Sequence, residues 1–396
     1  MIDLRAKGDT SDMTLILTNL VKGSVERITQ VINSYDFDCD PIETTYSAVI
    51  SNVSPTCSDK IKLQIFEANH LEGDFRSVSD KEYKQHLLKS LKESGYTTGS
   101  STKLSQVASN CITQGSVKRN TFLSICPSIK MPLEKARGAL MYTRGERDFD
   151  ASDIQESCFY YSLKEQLSNK ETVRLLQEGK NAPILFGEPF PNCFEAKKSL
   201  INIGDESALI RHCGRLKASH IEDPSCKEIV RLIGLAKKKV SKREKVEVES
   251  VTDTLLENQL CAGKHGGSQG NIIKTSASCF SGVLGTGDLS RQRLGALKTG
   301  TCAPTRDEIV KLNFFLYEDE SCPEGCDSCT HKDCELAEVR AENLILNTNS
   351  CLRICNMGIL CADCALDFFI LLCAHFECPW ETYFEVMSWS YTLKNA

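Results

Sequence analysis

Cysteine is the residue type in this chain best placed to do chemistry: 21 of its 396 residues are cysteine. Ten crowd the C-terminal part, as Cys322-x3-Cys326-x2-Cys329-x4-Cys334, Cys351-x3-Cys355-x5-Cys361-x2-Cys364 and Cys373-x-His375-x2-Cys378. The two C-x2-C pairs, Cys326/Cys329 and Cys361/Cys364, could place four thiolates around a zinc ion, since each pair presents its sulfurs on one turn with tetrahedral reach. The same block suits disulfides, with Cys302, Cys322, Cys326, Cys329, Cys334, Cys351 and Cys355 as candidates, and it holds more cysteines than one zinc site uses. The other eleven, from Cys39 to Cys302, are dispersed and form no C-x2-C pair. Zinc does not explain those, whereas one oxidising compartment explains both groups. An odd total leaves one thiol free or paired with another chain.

A second candidate is Cys158, in the segment Glu156 to Leu163 (ESCFYYSL). A cysteine that opens a helix gains thiolate stability from the helix dipole, and His212 or His220 is available as a base. The segment resembles the nucleophile region of papain-like and ovarian-tumour-type cysteine proteases. However, Gln155-Glu156 stands where the latter family has Asp-Gly, and neither histidine is followed by an Asn or Asp in an orienting context. The bland alternative is a core or disulfide cysteine among aromatics. Gly266-Gly267-Ser268-Gln269-Gly270 matches G-x-S-x-G, but it lacks the strand before and helix after that a nucleophile elbow needs, so it reads as a loop. No phosphate-binding P-loop, G-x-G-x-x-G or H-E-x-x-H motif is present.

These residues need a scaffold. Ser24 to Tyr35 and Ser79 to Ser94 have helical spacing, the latter with Ser79 and Glu82 as a capping box. Phe159 to Glu178 and Cys226 to Lys239 also read as helices. Alternation predicts strands at Ile61 to Phe66, Gly138 to Thr143, Ala182 to Phe186, Asn271 to Thr275, Glu308 to Glu318 and Leu336 to Leu346. The fold class that follows is α+β, β-rich and disulfide-stapled. It divides into an N-terminal α/β head (1–150), a middle α+β domain with a basic helix end (151–300), and a cysteine-rich β-ribbon with an apolar C-terminal segment (301–396).

Apolar content of 41% and charged content of 25% exclude disorder for most of the chain. A net charge of −6 gives no global attraction to nucleic acid, and none is expected as a partner. The basic run Lys237 to Lys245 is read as a solvated helix end in preference to a nucleic-acid contact. The N-terminus is charged where a secretory leader needs apolar residues, so the chain is either cytosolic or has a leader outside it. The apolar run 357–380 contains Asp363 and Asp367, a poor membrane span, and reads as buried or interfacial with membrane proximity. Asn52 heads a single glycosylation sequon, weakened by Pro55.

The cysteine order from Cys302 to Cys355, with Val339-Arg340 on an intervening strand, resembles the β-ribbon region of the Gn envelope glycoproteins of phlebovirus-like bunyaviruses. The bracket Ile125-Cys126 to Cys158-Phe159 is similar to a region further upstream in those proteins. The resemblance covers about a third of the chain and implies a non-enzymatic surface glycoprotein of the virion and secretory lumen, without a cofactor. Such a protein acts in attachment and assembly, partners a fusion glycoprotein or itself, and lets go in acid through histidines such as His265, His331 or His375. The alternatives are a zinc-binding regulator in the host cytoplasm and a protease with Cys158 and His212.

Overall fold

The computed structural model describes residues 23–256 and 291–387, apart from short stretches at 36, 38–39, 52–55, 99–101, 114–116, 318–334, 363, 377–378, 381 and 384. Asn52, Cys322, Cys326, Cys329, Cys334, His265, His331 and the 271–275 strand candidate lie outside the described residues. Within them the chain is all-α, with no strand. The α+β, β-rich class is therefore corrected.

The strand candidates fail for identifiable reasons. Ile61 to Phe66 lies inside α3 (Cys57–Ala68), where Ile61, Gln64 and Ile65 are buried at helical spacing with Cys57. A reciprocal capping box between Thr56 and Asp59 starts that helix, and a six-residue alternation cannot outweigh a cap. Of the Glu308 to Glu318 candidate, every described residue lies in α14 (Arg306–Tyr317), which is buried on all sides, so neither a period of 2 nor one of 3.6 shows in its sequence. Thr305 and Glu308 cap its start reciprocally, at 3.2 and 2.7 Å. Leu336 to Leu346 lies in α15 (Glu335–Ile354), which buries Ala341, Leu344, Ile345 and Leu352 at helical spacing. Gly138 to Thr143 continues α7 (Leu133–Gly138) as a π-turn. Ala182 to Phe186 is an irregular connection. The two strand candidates of the ribbon behind the glycoprotein resemblance are thus helical wherever they are described.

The helices fill two cores. The first is continuous in sequence: α3, α4 (Asp80–Glu93), α5 (Leu104–Thr113), α6 (Arg119–Ile125), α7, α8 (Ile154–Lys164), α9 (Asn169–Asn181), α10 (Cys193–Ile201) and α11 (Glu206–Ala218). Phe159 to Glu178, expected as one helix, is two: Gln166 turns left-handed at φ 54° and Ser168 caps α9 in a box with Glu171. The second core gathers both ends of the chain: α1 (23–34), α2 (Pro41–Ser51), α12 (Pro224–Glu244), α13 (Arg291–Lys298), α14, α15 and α16 (Ala365–Cys373), with Trp380 and Tyr383 stacked among Phe314, Phe315 and Phe369.

The apolar C-terminal run forms α16, every residue of which is buried against protein. No described helix is long and apolar enough to cross a membrane.

Where the two cores meet, the backbone N–H groups of Arg306 and Asp307 donate to the Gly145 carbonyl, at 3.1 and 3.4 Å. Gly145 has φ +60°, and a side chain there would overlap the Asp307 carboxylate, so only glycine fits.

Candidate functional site

Four consecutive helices frame the region around Cys158 and His212, and each starts at a polar cap. Asp153 accepts from the Glu156 amide (2.8 Å), Ser168 from Glu171 (3.3 Å), Asn192 from Glu195 (2.9 Å) and Asp205 from Ala208 (2.8 Å). Each cap satisfies an orphan amide of the first turn and fixes where its helix begins. The layout of α8 to α11 is therefore written locally.

His212 on α11 is 1% exposed. Its Nε2 lies 3.4 Å from the Ser157 hydroxyl, its Nδ1 lies 3.1 Å from that of Ser199, and its ring packs on Phe190. Burial pulls its pKa down to about 4, so at neutral pH it is an uncharged group joining α8, α10 and α11. His212 therefore faces Ser157, the neighbour of Cys158, and His220 is exposed on the surface.

Cys158 turns to the opposite side. Its thiol lies 3.6 Å from the Leu175 carbonyl and against the thiol of Cys213. Hydrogen bonding to Cys213, then burial, pushes the Cys158 pKa up, and the same bond pushes that of Cys213 down. Gly179 of α9 passes directly over the two sulfurs. A β-carbon there would lie 3.0 Å from one and 3.1 Å from the other. Glycine inside a helix costs about 0.5–1 kcal/mol relative to alanine, so the close approach explains its presence.

On the outer side of α11 lie two adjoining hollows. One, of about 400 Å³, is lined by Pro183, Leu185, Glu188, Ser207, Ile210 and Arg211. The other, of about 230 Å³, lies between α10 and α11 and includes Ser199, Ile203, Arg211, His212 and Arg215. Arg211 lines both and pairs with Glu188 at 2.8 Å. Arg215 sits 3.9 Å over the Phe190 ring and donates to the Glu188 carbonyl. Phe186, on the loop beside the first hollow, is 79% exposed, and Phe194, at the start of α10, is 70% exposed. The strand expected over 182–186 is this loop. Pro183 within the apolar run, with Gly187 and Pro189 after it, cannot sustain a strand ladder.

The remaining cysteine candidates sit in the second core. Cys302, Cys351 and Cys355 are thiols without a bonded sulfur partner. Cys302 accepts from Arg293 at 3.1 Å, and Cys351 donates to the Asn313 side chain at 3.3 Å. Cys361 and Cys364 of the zinc alternative lead into α16 beside a buried ion pair. There Arg306 gives two N–H groups to Asp367, at 2.9 and 2.5 Å, and others to the Gly358 and Ile359 carbonyls, while the Cys361 amide donates to Asp367. Both side chains of the pair are fully buried. Among the described residues no three metal-ligating side chains converge.

No protein-family model, no curated protein and no solved structure matches the chain.

Proposed function

We propose that this chain is a binding protein without catalytic chemistry of its own, and that its working surface is the cleft of α10 and α11 with the loop before α10. The observation that carries this is the exposure of Phe186, next in the chain to Leu185 of the first hollow, and of Phe194 at the start of α10, together with Arg211 and Arg215 lining the hollows. Large aromatics and arginines around a concave apolar floor are the composition of interface hot spots, and folding alone gains nothing from leaving two phenylalanines in water. The ligand class is a protein segment with apolar anchors. The neighbouring polar groups are engaged: His212 is held neutral between two hydroxyls and the Cys158 thiol is directed inward.

A photo-crosslinking residue placed at Phe186 tests the reading in the cell that makes the protein. It should give a discrete protein adduct, weakened by Phe194→Ser, whereas the same group at Lys89 on α4 should give none. Equal labelling from both positions would overturn the proposal. An adduct of twice the chain's mass would make the partner a second copy.

A second reading rests on a separate observation. Lys237 of α12 and Lys298 of α13 both reach Asp253, at 3.9 and 3.1 Å, which brings the basic end of α13 against the basic run of α12. Lys239 within that run is buried over Phe315, while Lys238, Lys242 and Lys245 are exposed. Local charge can hold a phosphate backbone despite a net negative chain. Salt-dependent binding of duplex DNA, lost on Lys298→Glu, would support this reading, and absence of binding at low salt would end it.

A further inference from the structure

The thiol pair in the first core points to a modification site. Cys158 and Cys213 are both fully buried, yet they lie on different helices and their sulfurs face each other under Gly179. A structural cysteine needs only an apolar cavity, and α9 would cross any such cavity with alanine as readily as with glycine. Here the glycine leaves the space between α9 and the two sulfurs empty of carbon, with Ile154 Cγ2 the next atom at 3.4 Å from that point. The two thiols also differ in character. The bond from Cys158 and the positive charge of Lys217 favour the thiolate of Cys213, while Cys158 holds its proton and points it towards the Leu175 carbonyl or its partner. An attacking sulfur beside a protonated resolving sulfur is the arrangement that dithiol oxidation requires.

We propose that Cys158 and Cys213 form an intramolecular disulfide on reaction with a small hydroperoxide, fastening α8 to α11. In the first step the Cys213 sulfur attacks one peroxide oxygen. The O–O bond breaks, the attacked oxygen stays on Cys213 as a sulfenic acid, and the other leaves as hydroxide that takes the Cys213 proton to become the first water. In the second step the Cys158 sulfur attacks the Cys213 sulfur, the S–O bond breaks, and the departing hydroxide takes the Cys158 proton as a second water. The protein loses two hydrogens and the peroxide is reduced by two electrons. Complete burial closes both sulfurs in the packed state, so an oxidant reaches them only as α9 opens locally, which favours a small peroxide over a bulky oxidant such as glutathione disulfide. The linked helix α11 carries Ile210, Arg211 and Arg215 of the cleft, but the disulfide is independent of what that cleft binds.

The test uses the full chain, freshly reduced and freed of reductant, treated with hydrogen peroxide while folded, then denatured and alkylated without reductant. The expected product is lighter by two hydrogens, lacks two alkylatable thiols, and gives a non-reduced tryptic pair joining residues 148–164 to 212–215. Glutathione disulfide at matched oxidising strength should not give it. Cys158→Ser should abolish the link and leave Cys213 as a sulfenic acid trapped by dimedone. Gly179→Ala, which forces the sulfurs apart, should slow the link in protein whose circular dichroism is unchanged. If that variant does not fold, Cys158→Ser carries the decision. Full alkylation of Cys158 and Cys213 after peroxide has oxidised other thiols overturns the proposal. So does a link formed equally between arbitrary cysteine pairs.

Discussion

The two cores solve opposite problems. The first is laid down in chain order, and its buried carboxylates, Asp148 and Glu156, pair with arginines that keep partial contact with water. Arg119 is its hub, giving a bidentate pair to Glu156 and further bonds to Glu146 and to the Arg147 and Asp148 carbonyls, so the whole fork is used. The second draws helices from both ends of the chain around α14, and its deepest charge pair among the described residues, Arg306 with Asp367, is sealed from water. Local order lets the first core leave an open cleft on its surface. Non-local order obliges the second to specify which distant segments belong together, and a buried bidentate pair does that because only one partner satisfies it.

The largest expected effect breaks that pair. Asp367→Asn or Arg306→Met should each destabilise the chain by about 3–5 kcal/mol, since each leaves an uncompensated buried group. Burial opposes the charge on Arg306, but Asp367 holds its pKa above the ordinary value. Replacing both by apolar residues should cost far less than either single change. Denaturant unfolding measures this, and hydrogen exchange should show protection falling in α14 to α16 while α8 to α11 remain protected. Uniform loss in both cores would show that they unfold as one unit.

Acid and base should then act on the two regions in opposite senses. Asp307, buried at the junction of the cores, has its pKa pushed up to about 7 by burial, partly offset by Lys311 and Arg306. Its folded state prefers the neutral acid, so its contribution is present below about pH 4 and is lost as pH rises to 7. The linkage is worth about 4 kcal/mol at most. Asp307→Asn should remove that slope and raise stability at pH 8. His212 prefers to be neutral when folded, so its contribution is present above pH 6.5 and is lost as pH falls towards 4, by about 3 kcal/mol. His212→Gln should flatten the acid limb. Unfolding curves from pH 4 to 8 for both variants separate the two.

What the sequence showed of this follows from range. Ser79 and the Tyr83–Leu87–Leu91 stripe mark α4 because cap and core face lie within one segment. The run 357–380 was readable as buried, but Arg306, 61 residues before Asp367, was not readable as its partner, since no local pattern links them. Short apolar alternations such as Val310 to Leu316 look the same in a buried helix as in a strand. Cysteine frequency carries no placement either: an unbonded thiol packs as a small hydrophobe, and Cys111, Cys126 and Cys373 line the cores in that way. Of the candidate site, Cys158 and His212 are legible by residue type, but each meets its partners across helices: Cys158 of α8 meets Cys213 of α11, and His212 of α11 meets Ser157 of α8 and Ser199 of α10.

The smallest effect tests whether the first core is as locally written as its caps imply. Ser168 bonds the Glu171 amide and Glu171 returns to the Ser168 amide, so the break between α8 and α9 rests on one reciprocal box. Ser168→Ala should cost about 1 kcal/mol, as for other caps. Because α9 holds Gly179 over the thiol pair, the same change should loosen the α9 end first, seen as faster exchange of the Glu171 and Thr172 amides with α14 unaffected. A loss several times larger, or one shared by α14, would mean that the first core depends on the second for its local order, and the contrast between them would fail.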